Sequence, residues 1–181
     1  MHELLSKKLG RKVEILVPQR GERYELMFNA LRNAKESLAR KMAETASQGK
    51  LLKGLAEAFN MEAPPKRIEV YDNSHTSGYE MLGVMIVATE SGFEKKAYRK
   101  FNIKDESLNA GDDYGAMREV IRRRFERELK ENPKKIKGSW PDLLIIDGGK
   151  GQLETTNQVL KKLGIKNLPI IAISKGRKRN S

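Results

Sequence analysis

The chain has 181 residues, a length typical of one domain with or without an appendage. It contains no cysteine and only two histidines, which excludes disulfides, thiolate zinc sites and histidine-rich metal sites. The N-terminal residues lack an apolar signal-peptide core, and no apolar run approaches the roughly 20 residues that span a membrane. We therefore expect a cytoplasmic protein with no membrane partner, in which carboxylates hold any metal.

The charge of the chain is strongly unbalanced. Thirty-six Lys and Arg residues against 24 Asp and Glu residues give a net charge of +12, which favours a polyanionic partner. Seven of the basic residues lie in the segment 155–181, which contains no acidic residue. That tail is either a solvated basic segment or a surface that contacts nucleic acid.

The first third of the chain is predicted to be mainly helical. Residues 12–17, KVEILV, alternate as a short strand does. From about residue 22 to 48, apolar residues recur at spacings of three and four and predict an amphipathic helix. Its apolar stripe consists of Met27, Leu31, Ala34, Leu38 and Met42. A second helix is predicted for Leu51–Phe59, after Gly49, and we expect the whole region 1–62 to pack as an appendage.

Two prolines, Pro64 and Pro65, mark the boundary before a predicted domain at 66–181, because proline cannot continue a helix. Three β candidates follow, joined by short connections that predict antiparallel neighbours. They are Arg67–Asp72, Glu80–Thr89 and Phe93–Ile103.

Strands and helices then alternate along the rest of the chain. The predicted elements are a helix at Asp112–Glu131, a strand at Asp142–Asp147, a helix at Gly151–Leu163 and a strand at Leu168–Ser174. A meander followed by such alternation predicts an α/β fold with a mixed sheet, antiparallel first and parallel later, flanked by helices.

Acidic residues stand at the ends of three separate predicted elements. Asp72 and Asp147 each end an apolar strand, and the pair Asp112–Asp113 opens a helix. Carboxylates that converge from different elements can bind two Mg²⁺ or Mn²⁺ ions about 4 Å apart for phosphodiester cleavage. Each acid also has a purely structural explanation: an Asx-turn for Asp72, a turn residue for Asp147 and an N-cap for Asp112. Because all three placements would have to be coincidental, we expect a divalent-metal site.

Several basic side chains are candidates for contact with nucleic acid. The turn GGKGQ, with Lys150 at its centre, lies between a strand and a helix, where it forms either a phosphate contact or only a tight turn. Arg118, Arg122 and Arg123 lie off the apolar stripe of their helix and either contact phosphate or form salt bridges with nearby glutamates. The last candidates, after the final strand, are Lys175, Arg177, Lys178 and Arg179.

Four segments, in one order, resemble the C-terminal nuclease half of the UvrC family of bacterial nucleotide excision repair. They are VYDNSHTSG, GDDYGAMREVIRRRF, PDLLIIDGGKGQL and AISKG. The resemblance implies an RNase H-like fold that cuts the damaged strand 5′ to a lesion with Mg²⁺ or Mn²⁺. It also implies damaged duplex DNA and UvrB as partners, with UvrA acting upstream.

Within these segments, Asp72, Asp113 and Asp147 match the catalytic, metal-binding acids of the family, and the nearby polar residues Ser74, His75 and Asp112 are candidates for support. His75 could in principle ligate metal or transfer a proton, but a structural role in its loop is preferred. Asn73 replaces the isoleucine, valine or methionine usual in the family, a departure that the sequence does not explain.

The resemblance also has gaps. The family continues beyond AISKG into a helix with a catalytic histidine and a tandem helix-hairpin-helix module, and this sequence ends at Ser181. The GIY-YIG nuclease and the UvrB-binding segment of the family are absent too. We therefore expect a fragment with a largely formed metal site and weak or absent incision. The alternative function is a non-catalytic, basic DNA-binding or partner-docking fragment.

Overall fold

The structure is a computed structural model that describes residues 2–76, 80–105, 108, 111–135 and 138–174, without the side chains of residues 74–76 and 80. By its internal contacts the chain forms two compact units, Met1–Ala43 and Glu44–Ser181. Among the described helices, none combines the length and the apolar character that a membrane crossing requires.

The N-terminal region contains α1 at His2–Leu9 and α2 at Glu22–Ala58. The prediction of two helices separated at Gly49 is wrong, because α2 is continuous over 37 residues. A Cβ at Gly49 would meet nothing within 4 Å. Glycine at such an open helical position costs only about 1 kcal/mol of helix propensity, which neighbouring turns easily offset.

The apolar stripe predicted for this helix is mostly exposed. Leu38 and Met42 are 59% and 64% exposed, whereas the buried residues of α2 are Leu52 and Ala56 near its C-terminal end. The periodic spacing therefore predicted the helix correctly. The residues of the predicted apolar stripe are mostly exposed, however, and the buried residues lie closer to the C-terminal end of the helix.

The strand predicted at residues 12–17 is also wrong, because the structure has irregular backbone there. No strand of the described chain pairs with this segment. The Val13 N–H instead donates a hydrogen bond to Ser6 Oγ at 2.9 Å. Leu16 and Val17 are both exposed, so the alternating residues do not have one buried face. Alternation without a partner strand or a core to cover does not produce a strand.

One six-stranded mixed sheet forms the centre of the second unit. Its strands are β1 Arg67–Thr76, β2 Glu80–Thr89, β3 Gly92–Phe93, β4 Arg99–Asn102, β5 Leu143–Asp147 and β6 Ile170–Ile173. Their order is β3-β2-β1-β5-β6, with β4 also paired to β2. The pairs β1–β2, β2–β3 and β2–β4 are antiparallel, while β1–β5 and β5–β6 are parallel. The predicted change from antiparallel to parallel pairing is therefore confirmed.

Two predicted strand boundaries are wrong. The predicted strand Phe93–Ile103 is interrupted by a 3₁₀ turn at Lys95–Ala97, which directs Ala97 and Tyr98 towards the core. Asp72 does not end its strand, because β1 continues to Thr76 through pairing with β2. This strand position also contradicts the Asx-turn explanation of Asp72.

The two faces of the sheet have separate apolar clusters. The helices α3 (Asp113–Glu131) and α4 (Lys150–Lys162) cover one face, on which Tyr71 and Ile146 are fully buried. The opposite face contains Ile68 and Leu143, which pack with Leu52 of α2. Side chains alternate between the two faces along a strand. The face on which any other residue of β1 or β5 lies therefore follows from these four residues.

Candidate active site

Asp72 and Asp147 occupy adjacent positions on neighbouring strands. The parallel pairing of β1 and β5 matches Val70 with Ile145 and Tyr71 with Ile146, so Asp72 and Asp147 are the next positions in that register. Parallel strands lie about 4.8 Å apart. Both acids are exposed, and by alternation both lie on the face that carries Val70 and Ile145. The structure therefore brings these two predicted site residues together.

The helix α3 places the third predicted acid. Asp112 is its N-cap, and the carboxylate accepts a hydrogen bond from the Gly115 N–H at 2.9 Å. This geometry confirms the N-cap explanation of Asp112. Asp113 is the first helical residue and is partly buried. The Asp113 carbonyl oxygen accepts a hydrogen bond from Asn73 Nδ2 at 3.2 Å. Asn73 directly follows Asp72 on β1, so this bond attaches the start of α3 to β1.

The glycine-rich turn after Asp147 uses two of its N–H groups internally. The Gly148 N–H donates to the Ile173 carbonyl at 2.9 Å and continues the sheet. The Gly149 N–H donates to Gln152 Oε1 at 2.9 Å. Both bonds support the tight-turn interpretation. A phosphate would meet the later N–H groups of the first turn of α4, which have no partner within the helix, beside the exposed Lys150.

A tyrosine that the sequence interpretation missed joins the starts of α3 and α4. A Cβ at Gly151 would lie 2.6 Å from Tyr114 Cε1, so the ring rests directly on the glycine backbone. Tyr114 is nevertheless 52% exposed. Two features of the sequence could have indicated this contact. Tyr114 directly follows Asp113, and Gly151 lies in the first turn of a helix, where glycine is otherwise unfavourable.

The described carboxylates have the right chemistry for a hard divalent cation, because oxygen ligands suit Mg²⁺ and Mn²⁺. Two of them, Asp72 and Asp147, share the sheet face that carries Val70 and Ile145. The helix α3, which begins at Asp113, covers the opposite face, from which Asn73 binds the Asp113 carbonyl. Among the described side chains, however, no group of three or more acids or histidines is arranged to hold an ion. The carboxylate oxygens are suitable ligands for a metal ion, and their convergence around one ion stays a prediction.

Two of the three arginines of α3 that were predicted to contact DNA, Arg122 and Arg123, are engaged in ion pairs. Arg122 lies 3.2 Å from Glu126, with both side chains about half exposed. Arg123 Nη1 donates to Glu119 at 2.8 Å and to the Asn102 carbonyl at 2.7 Å. The salt-bridged alternative is therefore present in the structure. The side chains of Ser74 and His75, and all of Lys175, Arg177, Lys178 and Arg179, lie outside the described residues.

A buried ionic network, also missed from the sequence, connects β1 to α3. Glu69 is fully buried and accepts hydrogen bonds from the Tyr71 hydroxyl at 2.6 Å, from Arg67 Nη2 at 2.9 Å and from Arg124 Nη2 at 2.7 Å. Burial, followed by the charge of Glu69, raises the pKa of Tyr71 well above its usual value. The only sequence signal was a glutamate between two apolar strand residues.

Arg124 extends this network towards the end of α3. It donates to Glu128 Oε2 and to the Ser139 carbonyl, both at 2.7 Å. Burial opposes the charge of Arg124, but the charge and hydrogen bond of Glu69, together with Tyr71 and Glu128, outweigh it and raise the pKa of Arg124. Burial likewise opposes ionisation of Glu128, but hydrogen bonds from Ser139, Asn132 and Arg124 outweigh it and lower the pKa. The network fixes α3, and with it Asp113, against β1.

The chain matches the models of two known protein families. Residues 56–181 match the family described as the UvrC RNAse H endonuclease domain, and residues 1–41 match the UvrC Ribonuclease H-like domain. The mixed sheet flanked by helices is thus of the RNase H-like class. The chain belongs to the UvrC RNase H endonuclease domain family, which confirms the resemblance found in the sequence.

Relatives over the same region are the UvrABC system protein C of Ruegeria pomeroyi and of Caulobacter vibrioides. The first is 57% identical over 180 residues, which is 99% of this chain and 29% of the relative. The second is 50% identical over 181 residues, which is 100% of this chain and 28% of the relative. The chain thus spans less than a third of the length of these curated relatives.

Solved structures with some similarity include Ciona intestinalis Endonuclease V in complex with a 24mer DNA containing an inosine followed by a ribo-adenosine. It is 16% identical with a TM-score of 0.42, and the match covers 81% of this chain and 60% of that one. Human ENDOV is 14% identical with a TM-score of 0.32, over 46% of this chain and 34% of that one.

Proposed function

We propose that the chain is a divalent-metal-dependent DNA endonuclease domain of bacterial nucleotide excision repair, which incises the damaged strand 5′ to a lesion. The observation that carries the proposal is the adjacency of Asp72 and Asp147 on two parallel strands, with the backbone of Asp113 hydrogen-bonded to Asn73, the residue after Asp72. Membership of an endonuclease domain family supports it.

In this proposal Asp72, Asp113 and Asp147 hold Mg²⁺ or Mn²⁺. When bound, the metal supplies activation of water and stabilisation of the leaving oxygen. The strands β1 and β5 fix two of the carboxylates, and α3 positions the third. In this proposal Asp112 supports the site through the helix cap, in which its carboxylate accepts the Gly115 N–H.

The proposed substrate is damaged duplex DNA, delivered with UvrB after UvrA has acted. A net charge of +12 favours such a polyanion. We assign phosphate contacts to Lys150, at the start of α4, and to the exposed Arg122, which can exchange its glutamate partner for phosphate. Arg123 is assigned a weaker contact because its Nη1 already donates to Glu119 and to the Asn102 carbonyl. The basic residues Lys175, Arg177, Lys178 and Arg179 complete the proposed surface.

Nicking of supercoiled plasmid in Mn²⁺ tests this function. We expect slow nicking by the wild-type chain and loss of nicking in Asp72→Asn, with DNA affinity unchanged or raised because a negative charge is removed. Glu131→Gln is the control, since Glu131 is an exposed acid at the far end of α3. Equal nicking by Asp72→Asn and the wild type would contradict the proposal.

The second candidate is a basic DNA-binding or partner-docking module without catalysis. The observation that favours it is the absence, within the described residues, of three carboxylates arranged around one position. This function predicts DNA binding that does not respond to Mn²⁺ or to Asp72→Asn, together with no nicking by the wild type.

A further inference from the structure

The two polar atoms of the Asn73 side chain differ in their hydrogen bonding. Its Nδ2 donates a hydrogen bond to the Asp113 carbonyl at 3.2 Å. Its Oδ1 is buried and, within the described part of the chain, has no hydrogen-bond partner. A buried acceptor left without a partner costs at least as much as one neutral hydrogen bond contributes. Stability alone therefore does not account for an amide at this position.

The surroundings of Asn73 are closely packed. Asn73 pairs with Gly83 across β1 and β2. A Cβ at Gly83 would lie 3.3 Å from Asn73 Oδ1 and 2.4 Å from Val120 Cγ2 of α3. The glycine thus lets α3 approach the sheet beside the amide. This packing leaves little space for a water molecule that could satisfy the oxygen.

The hydrogen bond joins two elements that carry proposed metal ligands. Asn73 directly follows Asp72 on β1, and the carbonyl that it holds belongs to Asp113 at the first position of α3. Helix ends fray easily, so an attachment at this point limits how far the Asp113 carboxylate can move relative to Asp72. Metal sites need ligands held to within about 0.5 Å, which packing and supporting hydrogen bonds provide.

We propose that Asn73 is a positioning residue, whose side-chain amide fixes the start of α3 on β1 and so sets the spacing between Asp72 and Asp113. The inference rests on the proposed metal-dependent function. It assigns a role to the position at which the sequence departs from the family pattern. The amide does not contact the metal or the substrate; it acts through the backbone of Asp113.

The test replaces Asn73 with leucine, which has a similar volume and no amide. The control is Asn102→Leu, the same substitution on β4, where the side chain is exposed. Unfolding in urea checks that both variants keep the wild-type stability or exceed it. The local readout is amide hydrogen exchange at Met117, whose N–H bonds the Asp113 carbonyl in a regular helix.

We expect Asn73→Leu to accelerate exchange at Met117 about fivefold, the effect of losing one neutral hydrogen bond, while exchange at Ile121 and Phe125 stays unchanged. Mn²⁺ affinity, measured by calorimetry, should fall about tenfold or more, as supporting residues of metal sites typically show. Asn102→Leu should change neither quantity.

Two results would overturn the inference: unchanged exchange at Met117, or faster exchange with unchanged Mn²⁺ affinity, which would make the bond merely structural. Failure of the proposed function has a different signature, because the wild-type chain would then bind no Mn²⁺. In that case exchange at Met117 alone decides whether Asn73 holds the start of α3.

Discussion

At the scale of single residues, the interior of the sheet–helix interface is unusually polar. Glu69 and Arg124 are nearly inaccessible to water, and each has more than one charged partner. Buried ion pairs contribute little net stability, but removal of one member leaves the other charged and unpaired. The value of this network is the fixed placement of α3 on β1.

Glu69→Gln keeps the shape of the side chain but removes the negative charge between Arg67 and Arg124. We expect the free energy of unfolding to fall by about 3 kcal/mol, the lower end of the range for breaking a buried pair, because Arg124 retains Glu128. The measurement is urea unfolding followed by the fluorescence of Trp140, the only tryptophan, which packs on Phe125.

The matched control for Glu69→Gln is Glu131→Gln, which breaks the exposed pair with Arg127. Exposed pairs contribute less than about 1 kcal/mol. If both substitutions had the same small effect, the buried network would not have the role assigned to it.

The lowered pKa of Glu128 predicts a pH dependence. The unfolded chain binds this proton first, near the ordinary pKa of 4.5, so the contribution of Glu128 is complete above that pH. It is lost as the pH falls from 4.5 through the lower pKa of the folded state. We expect the stability difference between the wild type and Glu128→Gln to shrink below pH 4.5, as measured by urea unfolding from pH 7 to 3. A difference that grows on acidification would contradict the assignment.

At the scale of secondary-structure elements, glycines decide how closely α3 approaches the sheet. We expect Gly83→Ala to lower the free energy of unfolding by about 1–3 kcal/mol, because its Cβ would overlap the stiff, buried side chain of Val120. Gly49→Ala, at an open position of α2, should instead raise helix stability by up to about 1 kcal/mol.

The double variant Gly83→Ala/Val120→Ala tests the cause of this effect. If overlap with Val120 causes the loss, the two substitutions should not be additive, and the second should cost less in the presence of the first. Strict additivity would exclude that contact as the cause.

The elements that could be predicted from the sequence were those with a strong internal pattern. Met117, Ile121 and Phe125 recur at a spacing of four, the helical pattern from which α3 can be predicted, and all three are buried. The strand β5 can be predicted from its continuous apolar run. The strand at residues 12–17 and the end of β1 at Asp72 were wrong because strand formation depends on a partner elsewhere in the chain. Local alternation contains no information about that partner.

At the scale of the whole molecule, the sequence predicted the change from antiparallel to parallel pairing but not the register that places the acids. The adjacency of Asp72 and Asp147 follows from the register of β1 and β5, which no local signal specifies. The buried Glu69 network and the amide of Asn73 are also long-range contacts. For this reason the residues that position the site were missed, while the proposed ligands were named.

The proposed function requires that three carboxylates, from β1, α3 and β5, share a divalent metal. The neighbouring acids Asp112 and Asp113 provide the most direct test, by Mn²⁺ calorimetry on the variants Asp112→Asn and Asp113→Asn. Asparagine caps a helix as well as aspartate does, so Asp112→Asn should keep the wild-type affinity. We predict that Asp113→Asn loses Mn²⁺ binding. Equal Mn²⁺ affinity of the two variants, whether both bind or neither binds, would rule out a metal site that uses Asp113 and not Asp112.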